Sequence, residues 1–264
     1  MIGYGDELLA AGQAQRLYET EHAPVLIVGL DGRPRWHEIW DGNPAILHPD
    51  RIELGQLHLV VQSGPNCRPY IVYPFSEDTG WTFNQTFRAR DHLAKIYLTI
   101  VERHLGELLR MRGGPYVLIE PFTKHNNLRW PLDRWQQLVW DCPDVAFIQH
   151  THAHSPHLRN VTCIQATFRE ACGLAAASSC YIRSESGMCH AAAALGVPQV
   201  TIWGDCLDWE VLGGYPKQTG MVAQPHSPCG RWHPCDHCAR ALSAITVDAV
   251  VTALRRQLYF AETA

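Results

Sequence analysis

Short apolar runs alternate with longer stretches of helical periodicity along the chain. In residues 5–19 (GDELLAAGQAQRLYE), Leu8, Leu9, Gly12 and Leu17 share roughly one side, which predicts a helix with Gly5, Asp6 and Glu7 as an acidic first turn. Residues 23–34 (APVLIVGLDGRP) read as a short buried strand and a turn, and residues 57–63 (LHLVVQS) as a second strand. Between them, the aromatic- and turn-rich stretch 36–46 reads as a loop. The longest helical periodicity covers residues 87–111, where Leu93, Ile96, Tyr97, Ile100 and Leu105 recur; it stops at Gly113 and Gly114.

A second series follows. Residues 116–121, 145–150, 180–184 and 198–204 are short apolar runs, and 132–142, 167–178, 187–195 and 246–260 have helical spacing. Strands alternating with helices over short connections predict an α/β protein with a parallel sheet covered by helices on both faces. The glycine pair is the best boundary, giving domains 1–112 and 113–264, with a last helix that could pack back on the first.

At 264 residues and 46% hydrophobic content, the chain can bury one large core or two modest ones. A formal net charge of −4 argues against a broad electrostatic footprint for nucleic acid or anionic membrane, though a local basic groove is compatible with it. The start, MIGYGDELLA, lacks the basic and apolar regions of a secretory leader, and no apolar stretch is long enough to span a bilayer. The expectation is a soluble, cytoplasmic protein with no membrane span. Of ten cysteines, Cys67, Cys142, Cys163, Cys172, Cys180 and Cys189 are dispersed and read as small buried hydrophobes in a reducing compartment.

The richest chemistry lies in residues 183–204 (RSESGMCHAAAALGVPQVTIWG), a strand end, a polar turn and an alanine-rich helix. In an open parallel sheet, ligands gather at such strand-to-helix turns, where unpaired amides and the helix dipole attract anions. Gly187 would let a phosphate approach the backbone, Ser184 and Ser186 would cap or donate, and His190 lies one turn in. Glu185 suits sugar or ribose hydroxyls better than phosphate, so the mixture fits a nucleotide sugar; a capped structural helix with a half-buried histidine is the plainer alternative.

This stretch resembles the motif of the family 9 glycosyltransferases, the bacterial heptosyltransferase group: an acidic residue, a hydroxyl residue and glycine, then histidine, alanines, a Gly-x-Pro turn and a strand ending in glycine. Glu185 stands where aspartate is more usual and Ser186 where threonine is. The resemblance implies the GT-B architecture, two facing Rossmann-like domains with parallel sheets, here with a shortened N-terminal domain. GYGDELLAAGQAQRL is similar to the family's opening Gly-Asp turn and helix, and so implies Asp6 as the general base, with Glu7 as an alternative and a helix-start role for Asp6 also open. YVLIEPFTKHNNLRWPLDRWQQLV resembles the family's strand, proline, polar turn and Trp-Pro. The usual basic residue is replaced by Leu128, leaving Lys124 or Arg129, beside Thr123, to neutralise the leaving diphosphate. Arg33, Arg35, Trp36 and Trp40 lie on candidate acceptor-facing loops.

Cys229, Cys235 and Cys238 form a C-x5-C-x2-C cluster with His226, His233 and His237 nearby. A histidine or Cys206 would complete a tetrahedral zinc set. Family 9 members commonly carry cysteines here, and some protein heptosyltransferases bind iron through them, so the expectation is a structural Zn or Fe and no cofactor for the chemistry itself. The sequence thus predicts an inverting glycosyltransferase using a nucleoside-diphosphate sugar, with ADP-heptose as the family's candidate. The acceptor would be a glycan, a protein or a modified nucleic acid base. A non-catalytic GT-B-like binding module and a nucleotide-sugar epimerase or hydrolase are the alternatives.

Overall fold

The computed structural model describes residues 3–263 apart from 54, 56, 65, 77–79 and 154. The chain opens with α1 (Tyr4–Glu21), which buries Leu8, Leu9, Ala10, Ala11 and Ala14. β1 (Val25–Val28) pairs in parallel with β2 (Leu59–Gln62), Val25 opposite Leu59. β3 (Ile71–Ser76) and β4 (Gly80–Phe83) form an antiparallel hairpin that the hydrophobic pattern did not announce.

The expected long helix over 87–111 begins only at Ile100: α2 spans Ile100–Gly113. Ahead of it the chain is extended, burying Ala94, Ile96 and Leu98 and exposing Lys95, Tyr97 and Thr99, a period of two where helical spacing was read. Thr99 starts the helix through a capping box, accepting from the Glu102 amide while Glu102 accepts from the Thr99 amide. The extended segment is pressed against α1, where a Cβ at Gly12 would lie 1.7 Å from the His92 carbonyl oxygen.

The second half alternates as expected: β5 (Val117–Glu120), α3 (Leu132–Asp141), β6 (Phe147–Thr151), β7 (Thr162–Gln165), α4 (Phe168–Ala177), β8 (Cys180–Ser184), α5 (Gly187–Ala194), β9 (Gln199–Gly204), α6 (Trp209–Leu212), β10 (Gln218–Val222), α7 (Asp236–Ala244) and α8 (Val247–Thr263). The six strands form one parallel sheet in the order β10-β9-β8-β5-β6-β7. Leu118, Ile148 and Tyr181 point to one face, covered by α4, α5 and the first half of the chain. Val117, Ile119, Ile182 and Ile202 point to the other, under α3, α7 and α8. The first of these cores also holds Leu8, Val25, Ile27 and Val61, so the apolar interior runs past Gly113 and Gly114 without a break.

No single described helix is long and apolar enough to cross a membrane. Among the dispersed cysteines, Cys142, Cys172, Cys180 and Cys189 are buried, but Cys163 is exposed on the edge strand β7 and Cys67 is half-buried, which corrects the expectation for those two.

Candidate active site

The strand order reverses between β5 and β8: the chain leaves β5 towards β6 and β7, then returns to β8, β9 and β10. The carboxyl ends of those two strands diverge into different loops, the crevice where open α/β sheets hold ligands. A cavity of about 430 Å³ opens there. It is lined by Thr123 and Lys124 after β5, Glu185, Ser186, Gly187 and His190 after β8, and Asp6 in the first turn of α1.

Asp6 is tightly engaged. Arg68 Nε donates to both carboxylate oxygens at 3.1 Å, and Tyr70 OH donates to Oδ1 at 2.6 Å. Burial, reinforced by the Asp6 charge, holds the Tyr70 phenol well above its usual range, so it stays a donor. Glu7 faces elsewhere. It is buried, ion-pairs with Arg35 Nη2 at 2.5 Å and lies 3.5 Å from Ser63 Oγ, so the alternative base is a structural anchor outside the cavity.

Ser186 caps α5, its Oγ accepting from the Met188 amide at 3.1 Å. The glycine after it serves a purpose the sequence did not reveal. A Cβ on Gly187 would stand 2.8 Å from the Gly5 nitrogen, so this glycine admits the start of α1 rather than opening the backbone to a phosphate alone. Burial pushes Glu185 up to about 7, against the lowering effect of Arg183 and with that of Asp6. Burial holds His190 down at about 4, Asp6 opposing and Arg183 adding to the shift. His190 Nδ1 is 2.7 Å from Tyr215 OH, and Nε2 is 3.8 Å from Glu185 Oε1. With the tyrosine donating, the ring proton sits on Nε2.

Arg129 does not line the cavity. Its Nε donates to the Thr123 carbonyl at 2.8 Å, Nη2 reaches the Lys124 carbonyl at 3.4 Å, and the guanidinium lies over Phe122. It braces the loop that presents Thr123 and Lys124. The acceptor-loop residues are also elsewhere: Trp40 is buried and donates to the Glu7 carbonyl, Trp36 packs on His48, and Arg33 pairs with Asp31 at the surface.

Arg68, Tyr70, His125, Arg231 and Trp232 line the cavity without having been singled out. Arg68 and Tyr70 precede an unannounced hairpin, and nothing in their local pattern marks them. Arg231 and Trp232 had a signal in the five residues bracketed by Cys229 and Cys235. The Lys124 and Arg231 side chains have no ion pair or hydrogen bond among the described residues, so two exposed cations border the cavity.

Cys229 Sγ is 3.2 Å from Cys238 Sγ and 3.9 Å from Cys235 Sγ, and His237 offers a nitrogen in the same group. Cys206 is within hydrogen-bonding reach of Cys229 and Cys238. A tetrahedron of thiolates around zinc has edges of about 3.8 Å, close to the two sulfur separations from Cys229, and the donor atoms of Cys229, Cys235, Cys238 and His237 all lie within 4.8 Å of one another. The hydrogen bond from Cys206, then that from Cys238, lowers the Cys229 thiol strongly. The hairpin secures the loop they form, the Trp81 amide donating to the Gly230 carbonyl at 3.0 Å.

Neither a protein-family model nor any curated protein matches the chain. Solved structures do. The family 9 glycosyl transferase of Veillonella parvula superimposes over 98% of this chain and 95% of its own, with a TM-score of 0.65 at 12% identity. The fold is that of the family 9 glycosyltransferases. A second structure of this fold, the iron-containing dodecameric glycosyltransferase TibC of enterotoxigenic E. coli, matches over 97% of this chain and 74% of its own, with a TM-score of 0.65 at 16% identity. The chain spans 57% of the length of the E. coli ADP-heptose lipopolysaccharide heptosyltransferase II, at 17% identity and a TM-score of 0.48 over 66% of this chain.

Proposed function

We propose that the protein is an inverting glycosyltransferase whose donor is a nucleoside-diphosphate sugar. The observation that carries this reading is the placement of the Asp6 carboxylate and the start of α5 in one cavity. An alcohol needs its proton removed as it attacks the anomeric carbon, and Asp6 is the carboxylate facing the cavity from α1. Arg68 and Tyr70 orient it. The leaving diphosphate would meet the α5 amides, Ser186, the His190 Nε2–H and the cations Lys124 and Arg231. Glu185 would accept from sugar hydroxyls. ADP-heptose is the donor this reading favours, since a structure of TibC, similar in fold at a TM-score of 0.53 and 13% identity, holds ADP-D-β-D-heptose.

The chemistry is assigned to these side chains. The cysteine cluster is assigned a structural zinc or iron held by Cys229, Cys235, Cys238 and His237, with Cys206 beside it; when bound, the ion would cross-link the loop that carries Arg231 and Trp232. The test is Asp6→Asn in purified protein with ADP-heptose and candidate acceptors. Transfer should fall by at least about a hundredfold, in line with loss of a general base, while donor binding in a thermal-shift assay is kept. Unchanged turnover removes Asp6 as the base. Donor consumption without any acceptor points instead to a hydrolase or epimerase.

A further inference from the structure

A second group of donors lies one strand over, at the ends of β5 and β6. Glu120 closes β5 and His150 is in β6; His152 follows that strand, its amide donating to Ser155 Oγ at 2.8 Å. Glu120 and His150 are almost fully buried, whereas the His152 side chain is 47% exposed. The two imidazoles meet edge to face, 4.5 Å apart.

The His150 ring has one definite hydrogen bond. Its Nε2 is 3.2 Å from the Ala166 carbonyl oxygen, which can only accept, so Nε2 carries a proton. Nδ1 has no hydrogen-bond partner and is 3.6 Å from Glu120 Oε2, beyond hydrogen-bond length. In the neutral ring that nitrogen presents a lone pair, inside the protein, to the end of β5 where Glu120 carries its carboxylate, an arrangement that a cation beside the carboxylate would satisfy. A histidine that donates its far N–H to a backbone carbonyl is the usual posture of a metal ligand, because that bond fixes the tautomer and aims the lone pair. His152 Nε2 is 2.9 Å from Glu120 Oε1, and the three donors lie within 4.8 Å of one another. Donors sharing a tetrahedral ion at ordinary bond lengths are about 3.4 Å apart, so an ion entering the group would part His152 Nε2 from Oε1 by about half an ångström, a shift the half-exposed His152 ring can make.

We infer that Glu120, His150 and His152 form a divalent-metal site distinct from the cysteine cluster, taking Zn²⁺ or another imidazole-preferring ion of the first transition row. Tyr181 OH and Arg183 already engage Oε2, at 2.6 and 3.0 Å, so the carboxylate coordinates through Oε1. Arg183 also balances the Glu120 charge. The ion therefore keeps net positive charge and completes its shell with water or an anion on the open side, where His152 meets solvent. Two imidazoles and one shared carboxylate oxygen disfavour Mg²⁺ and Ca²⁺, which demand more oxygen ligands.

The test uses the full chain, stripped of metal with a chelator and dialysed against Co²⁺ at a concentration equal to the protein's. Wild type and His104→Ala, which removes an exposed histidine of α2, should bind one ion more per chain than His152→Ala. The extra ion should add weak visible absorption and leave the intense near-ultraviolet thiolate bands of the cysteine cluster unchanged. His152 is half-exposed, so its replacement leaves the interior intact. Equal Co²⁺ content in wild type and His152→Ala, or a loss confined to the thiolate bands, overturns the site.

Discussion

Gly5 and Gly187 touch backbone to backbone: a Cβ on Gly5 would lie 3.3 Å from Gly187 Cα and 3.2 Å from the His190 ring. The first turns of α1 and α5 are thereby brought together, setting Asp6 on one side of the cavity and Glu185 and His190 on the other. Gly187→Ala forces its methyl into that contact. It should cost about 1–3 kcal/mol in a urea titration, as overpacking of a close interface does. An unchanged midpoint would mean that the two helix ends are not in contact in solution.

The clamp on Asp6 is separable by a double-mutant cycle. Arg68 and Asp6 side chains are 14% and 12% exposed, so Arg68→Met strands a carboxylate in a nearly closed setting. The expected loss is about 3 kcal/mol. Asp6→Asn in the same chain should restore much of it, because no charge then remains to be paired. Strict additivity of the two substitutions would refute the ion pair.

Glu185 and His190 give opposite pH signatures. The Glu185 carboxyl is raised by burial from 4.5 to about 7, so its neutral form is favoured by folding. That contribution is complete below pH 4.5 and is lost as pH rises through 7. His190 is lowered by burial from 6.5 to about 4, so its contribution is present above 6.5 and lost as pH falls through 4. Between these limits the two slopes oppose each other, and the parent protein should vary little. Glu185→Gln removes one slope: its stability relative to the parent should rise by about 3 kcal/mol from pH 4.5 to 7.5. Denaturant curves at the two pH values provide the check, and a difference independent of pH would leave Glu185 an ordinary carboxylate.

The cysteine loop should report its own integrity through fluorescence. Trp232 stands 4.6 Å from both Trp81 and His125, between Cys229 and Cys235. Cys238→Ser should lower the bound zinc or iron measured by elemental analysis and shift tryptophan emission to the red. In Trp232→Phe protein the same cysteine change should shift emission far less.

Thr99→Ala should destabilise the protein by about 1 kcal/mol, the usual effect of removing a capping hydroxyl, and should raise amide exchange in the first turn of α2. Arg169, which ion-pairs with Glu102 and also donates to the carbonyls of Glu38 and Tyr97, keeps the rest of that helix in place.

Most of the larger sheet could be read from the chain because its central strands are short apolar runs separated by helices of clear period. β7 and β10 could not: both are edge strands, half solvated, with no strong alternation to mark them. The start of α2 was misread because Ile96 and Ile100 are four apart, a spacing that an extended segment followed by a capped helix also satisfies. Within the candidate site, Asp6, Glu185, Ser186 and His190 sit on elements with recognisable beginnings. Arg68 and Tyr70 are brought to Asp6 from more than sixty residues away, and no local pattern carries that information.

The glycine contacts have a mechanical consequence. Gly12 lies against the His92 carbonyl, Gly106 against Gly173, and Gly5 against Gly187, each a close backbone contact without room for a side chain. Such seams resist sliding and hinging, since any displacement opens a void or drives backbone into backbone. The wall of the cavity where α1 meets α5 is therefore stiff, and any change in its width falls to the other elements that line it, the hairpin and the cysteine-bearing loop among them.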